Sequence, residues 1–217
     1  MKFDDILTTG VVWITSDTHY NHKNICRSVT NWRTQAGDVP TYNTRDFQSI
    51  DQMNDALVNN INSKVGQDDT LIMLGDIAFG GFKSIGKFLD RLVCKNIHLV
   101  LGNHDHHIRN NRENIHDRFI SVSDYLQVRI NNQDFVLSHY PFASWNGLNK
   151  GVIHLHGHVH LSNQNKLGNG KRLDVGVDGN GYFPYKITEI VHMMDRREIG
   201  SDLSNDHHLD GLVGVVG

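Results

Sequence analysis

Ile97-His98-Leu99-Val100-Leu101 runs directly into Gly102-Asn103-His104-Asp105, so an apolar stretch ends on a turn that carries an amide, an imidazole and a carboxylate. The run is rich in branched side chains and predicts a buried strand, with Gly102 as the residue that lets the chain turn at its end. Four further segments repeat the arrangement. Residues 11–15 precede Asp17-Thr18-His19, residues 71–74 precede Gly75-Asp76, residues 135–137 precede Ser138-His139-Tyr140-Pro141, and residues 152–155 precede Gly157-His158-Val159-His160. In open α/β sheets, ligands bind in the crevice beyond the carboxyl ends of the strands. The five tips are therefore expected to converge on one place.

Between these runs Phe47, Ile50, Met53, Leu57 and Ile61 recur at three- and four-residue steps, predicting a helix capped by Thr44 and ended before Gly66. A second helix is expected over residues 82–93, with Ile85, Phe88, Leu89 and Leu92 as its apolar face. Alternating strands and helices in the first half predict a largely parallel sheet with right-handed crossovers. Beyond about residue 119, Val122, Leu126, Val128 and Ile130 run into Asn131-Asn132 before residues 135–137 return, a hairpin whose asparagines can take positive φ. Residues 172–177 and 187–192 read as further short strands. The second half is thus expected to be richer in antiparallel pairing and to pack as a second sheet on the first. No repeat, low-complexity tract or linker interrupts the chain, which reads as one domain over residues 1–217, with a core at about 11–192 and a C-terminal tail at 193–217. The tail holds His207 and His208 and then Leu212-Val213-Gly214-Val215-Val216, and is expected to dock as an extra strand or as the arm of a homodimer.

A chain of 217 residues buries a sizeable core as one domain. Its net charge of −3 argues against a protein that grips long nucleic acid by charge alone. Cys26 and Cys94 are too far apart for a redox or zinc pair and too few for a disulfide framework; both read as packed thiols. No apolar stretch approaches the roughly 20 residues that span a bilayer, and no secretory leader is visible, so a cytoplasmic location without membrane partners is expected.

Carboxylates, imidazoles and one amide oxygen together suit borderline divalent ions such as Mn²⁺, Zn²⁺ or Fe²⁺. Asp17, His19, Asp76, Asn103, His139, His158 and His160 are too many ligands for one ion and suit two ions sharing a bridge. Asp76 is the natural bridge, because a carboxylate offers two oxygens and enough charge to hold cations roughly 3.5–4 Å apart. In Asp17-Thr18-His19 and His158-Val159-His160 the two polar residues flank one spacer, so in an extended segment each pair points the same way.

Taken in order, these five segments resemble the signature of the calcineurin-like metallophosphoesterase superfamily. Residues 16–22, 138–141 and 175–182 are similar to a small bacterial and phage branch of predicted phosphoesterases, and the resemblance extends over about residues 11–191. It implies an α/β fold: a four-layer α/β/β/α sandwich with two mixed β-sheets flanked by helices. It also implies that Asp17, His19 and His160 hold one ion, that Asn103, His139 and His158 hold the other, and that Asp76 bridges them. Mn²⁺ leads as the metal, with Zn²⁺, Fe²⁺, Ni²⁺ and Mg²⁺ as alternatives. Ser16 stands where many members have glycine. The implied reaction is in-line attack on a phosphate ester by a hydroxide bridging the ions. Asn103 and His104 would face the substrate, with His104 protonating the leaving oxygen and Asp105 steadying the His104 imidazole. Among the other imidazoles, His22 and His156 are nearest the motifs and are candidates for orienting ligands.

Arg27 and Asn24 are candidates for meeting substrate phosphate. Residues 28–43 form an irregular stretch long enough to act as a rim or lid. Tyr20, Trp32, Tyr140 and Trp145 could stack on a nucleobase. A phosphodiester of a nucleotide or cyclic nucleotide is the leading substrate expectation. A phosphomonoesterase, a protein phosphatase of the same superfamily and a catalytically inert metal-binding scaffold are the alternatives.

Overall fold

In this computed structural model the described residues are 4–111, 116–161 and 167–200. Along them the order is β1 (Asp4–Asp5), β2 (Val12–Thr15), α1 (Ile50–Asn62), β3 (Thr70–Met73), α2 (Gly81–Arg91), β4 (Asn96–Val100), α3 (His106–Asn110), β5 (Ser121–Ser123), β6 (Leu126–Ile130), β7 (Gln133–Leu137), β8 (Ile153–His156), β9 (Arg172–Asp174), β10 (Tyr185–Lys186) and α4 (Ile187–Asp195). One sheet has the order β10-β2-β3-β4-β5 and the other β1-β6-β7-β8-β9. Both are mixed. Within the first only β10 on β2 is antiparallel, and within the second only β6 on β7.

The second half is therefore less antiparallel than its pattern suggested. The hairpin forms as expected, with Asn131 and Asn132 both at positive φ. Val122, however, leaves that ribbon and pairs opposite Leu99 in the first sheet. Residues 187–192 are not a strand but most of α4. Ile187, Ile190 and Met194 are buried while Thr188 and Glu189 are exposed, so the burial follows the helical period. The first helix starts later than expected: Ser49, not Thr44, accepts the Gln52 amide at its N-terminus. Thr44 instead gives its hydroxyl to the Pro40 carbonyl.

The two sheets meet through Ile14, Ile72, Leu74 and Val100 from one and Val128, Phe135, Leu137, Ile153 and Leu155 from the other. The opposite face of the first sheet is covered by α1 and α2, with Ile61, Phe88 and Leu89 packed on Leu71, Met73 and Leu99. Over the outer face of the second sheet, Phe142, Trp145, Leu148 and Val152 cover Val136. His154 faces this layer and stacks on Phe142. Among the described residues this outermost cover is irregular chain with a short 3-10 turn at Leu148–Lys150. No described helix is long and apolar enough to cross a membrane. His207, His208 and the apolar end of the tail lie outside the described residues.

Candidate metal centre

Every segment singled out in the sequence leaves the carboxyl end of a strand. Asp17 and His19 follow β2, Asp76 follows β3 and Asn103 follows β4 in one sheet; His139 follows β7, and His158 and His160 follow β8 in the other. The tips close on one another across the seam between the sheets. His158 N donates to Asp17 Oδ2 at 2.9 Å, Asp17 N to the Gly75 carbonyl at 3.0 Å, and His19 N to the Asp76 carbonyl at 2.9 Å.

Asp17, His19, Asp76, His158 and His160 all adopt positive φ, between 48° and 73°. The paired residues do not converge by alternation along an extended segment, as their spacing suggested. Left-handed turns bring them together, in a region that costs a side chain with a Cβ about 1 kcal/mol or more. Gly102 also acts differently from expectation. Its φ is not among the positive ones; what matters is that a Cβ there would overlap the Asp76 carboxylate and amide.

Two clusters of donor atoms result. Asp17, His19 and His160 form one, and Asp17, Asp76 and His139 the other. Asp17 Oδ1 lies 3.8 Å from His19 Nε2 and 3.8 Å from His160 Nε2, and those two nitrogens face each other at 3.1 Å. Asp76 Oδ2 lies 3.7 Å from His19 Nε2 and 3.5 Å from His139 Nε2, so Asp76 stands between the two imidazole groups. Asn103 Oδ1 lies 2.8 Å from His139 Nε2 and 3.0 Å from His158 Nδ1.

Asp17 Oδ1 is buried and has no hydrogen-bond partner. A buried carboxylate oxygen left this way is costly unless a cation meets it. Burial pushes the Asp17 carboxyl up to about 6, and the nearby His160 and His139 only partly oppose it. Burial also drives His19 well below its ordinary value, leaving a neutral ring able to ligate. The donor set and this orphaned oxygen fit divalent cations.

A family model for calcineurin-like phosphoesterase matches residues 10–188. The chain belongs to the calcineurin-like phosphoesterase family. Members of this family depend on divalent metal and act on phosphoric esters. Similar proteins include an uncharacterized protein of Methanocaldococcus jannaschii, 27% identical over 191 residues, covering 87% of this chain and 93% of the relative. The gene 66 protein of Mycobacterium phage L5 is 30% identical over 176 residues, covering 68% of this chain and 76% of the phage protein. The fold is similar to that of a protein of unknown function from Aquifex aeolicus, with a TM-score of 0.58, 22% identity, and coverage of 84% of this chain and 98% of that one.

In this phosphoesterase His104 is partly exposed, with Nε2 4.0 Å from Asp76 Oδ2 and its amide donating to Asp76 Oδ1 at 2.8 Å. Asp105 does not reach the His104 ring. Its Oδ2 accepts the Asp76 and Gly102 amides, each at 2.8 Å, and its Oδ1 accepts the Ile77 amide at 3.1 Å. It binds the turn after β4 to the turn after β3. Arg27 also stays away from the centre: its guanidinium bonds the Thr44 hydroxyl and the carbonyls of Thr41 and Thr44, and pairs with Asp46. Of the four aromatic candidates, Tyr20 and Trp145 are buried packing residues, Tyr140 lies edge-on to His158, and Trp32 lines a cavity beside the centre.

Two residues without an assigned role in the sequence reading complete the site. Arg45 is buried and directs Nε and Nη2 to the two oxygens of Asp178, each at 2.8 Å. Its Nη1 and Nη2 also reach the Thr18 carbonyl at 2.8 Å and the Asp17 carbonyl at 2.7 Å. Asp178 Oδ2 lies 2.7 Å from His160 Nδ1. Burial opposes a charge on His160, but Asp178 and Asp17 outweigh it and hold this imidazole above its ordinary value. Arg45 gave no signal in sequence because it falls at the start of the expected first helix, remote from every segment that carries the site.

Proposed function

We propose that this chain hydrolyses a phosphate ester with two divalent ions. Asp17, His19 and His160 would hold one, Asn103, His139 and His158 the other, and Asp76 would lie between them. The observation that carries the reading is Asp17 Oδ1, buried, without a partner and 3.8 Å from two imidazole nitrogens at the meeting point of both sheets. Bound there, the ions would supply Lewis acidity that activates water near neutral pH and offsets charge on the phosphoryl oxygens.

The chain's own residues do the rest. Asp178 keeps the His160 Nδ1 proton engaged so that Nε2 faces inward. The Leu74 carbonyl, 2.8 Å from His139 Nδ1, does the same for His139. His104, exposed on the cavity side and anchored through its amide to Asp76, is placed to protonate the leaving oxygen. A diester of a nucleotide or cyclic nucleotide is the substrate class and Mn²⁺ the ion we favour, in line with the aromatic rim and the mixed imidazole and carboxylate donors.

The test is Asp76→Asn, assayed with phosphomonoesters, phosphodiesters and phosphopeptides across Mn²⁺, Zn²⁺, Fe²⁺, Ni²⁺ and Mg²⁺. Wild type is expected to bind two ions and to turn over diesters fastest. The variant is expected to lose bound ion and activity while its circular dichroism is unchanged. Full activity and full metal content in Asp76→Asn would sink the dimetal reading.

A further inference from the structure

A cavity of about 430 Å³ opens beside the first ligand cluster, within the range of small-molecule pockets. His19, His104 and His160 form the wall shared with the centre; the buried Ile25 also lines the space, and Trp32 and Tyr42 form its rim. Tyr42 is 86% exposed, a large amphipathic ring held out at the mouth with no packing role.

Among the described residues lining this space, Arg45 is the single lysine or arginine, and it is turned onto protein oxygens. It is 2% exposed, with its donors on Asp178 and on the Asp17 and Thr18 carbonyls. Arg27 is turned onto residues 41–46, and Arg33, beside Trp32, directs Nη1 to the carbonyls of Thr30 and Trp32. A phosphate entering the cavity beyond the reacting one would meet no exposed lysine or arginine among the described lining residues, only imidazoles already engaged by the centre or by the leaving oxygen, and would lose water with little replacement. An uncharged planar group would meet two aromatic rings and apolar side chains.

Resting on the phosphoesterase reading, we infer that the cavity receives the departing alcohol, that this alcohol is an uncharged aromatic or nucleoside group, and that esters with a second phosphate are disfavoured. His104 lines the cavity, so the oxygen it protonates lies there too. The P–O bond to the alcohol breaks as a P–O bond to the water oxygen forms. The proton that His104 gives to the alcohol is balanced by one released from that water.

The experiment compares three substrates on the Mn²⁺-loaded chain: a nucleoside 2′,3′-cyclic monophosphate, an alkyl cyclic phosphate and a dinucleoside tetraphosphate. The first is expected to exceed the last in kcat/KM at least about tenfold, since each 1.4 kcal/mol lost gives that factor. Stacking on an aromatic ring is worth about fivefold or more per base, so Trp32→Ala and Tyr42→Ala should raise KM for the nucleoside ester by that factor relative to the alkyl ester. Tyr42 is so exposed that its loss leaves the fold intact. A faster tetraphosphate, or variants that change both monophosphate esters equally, overturns the inference. Adenosine alone, followed by tryptophan fluorescence, separates the two readings. Quenching in wild type but not in Trp32→Ala upholds the cavity even if no ester is hydrolysed, and absence of quenching refutes it whatever the activity.

Discussion

At the scale of single residues, the site depends on a buried guanidinium turned onto protein oxygens. Arg45 spreads its planar fork over both oxygens of Asp178 and two carbonyls of the turn after β2, and Asp178 passes that orientation to His160. A lysine ammonium is a point charge and cannot span these acceptors at once. Arg45→Lys is therefore expected to weaken binding of the ion at Asp17, His19 and His160 about 10–100-fold, while the other ion is held as before. Calorimetric titration with Mn²⁺ reads this as one weakened site out of two. Two equally weakened sites would indicate general loosening, and unchanged affinity would remove the positioning role. Asp105 makes a similar point. Its burial raises its carboxyl above the ordinary value, and three amides hold it in place, so it shapes the backbone and leaves His104 to face the cavity.

At the scale of elements, the carboxyl-end turns are fitted to one another without spare volume. Gly102 lies so close to Asp76 that any Cβ would overlap its carboxylate and amide. Gly102→Ala is expected to destabilise the fold by about 1–3 kcal/mol, the usual cost of forcing atoms into a filled space, and to lower ion affinity by displacing Asp76. Urea unfolding and metal titration measure the two effects; an alanine variant equal to wild type in both would show that the turn has slack. The strands and the ligand-bearing turns were legible in the sequence because burial on both faces writes a continuous apolar run and each run stops at a polar residue. The hairpin was legible from Asn131-Asn132. Misreadings arose where the local pattern is ambiguous: the apolar residues after Lys186 serve a strand or a helix equally well until packing decides, and Val122 joins one sheet though it abuts strands of the other. Arg45 was illegible because its partners are far along the chain, Asp178 above all.

At the scale of the whole molecule, the centre joins two sheets, with tips of three strands on one side and two on the other. Its protonation should therefore show in global stability. With the Asp17 carboxyl near 6 instead of 3.8, the folded chain binds this proton more tightly than the unfolded chain. For the metal-free protein, that contribution favours folding at acid pH and is lost as pH rises through about 6. A bound cation needs the ionised carboxylate and stabilises only the folded state. The Tm gain produced by Mn²⁺ is accordingly expected to grow between about pH 5 and about pH 7.5 in thermal scans. A gain that stays flat or shrinks over that range would remove Asp17 from the ligand set. The left-handed backbone at Asp17, His19, Asp76, His158 and His160 carries one more consequence. At these positions conformational preference alone would choose glycine or asparagine, so chemistry and fold ask for different amino acids. A chain relieved of catalysis could gain stability by surrendering them, and this one retains all five.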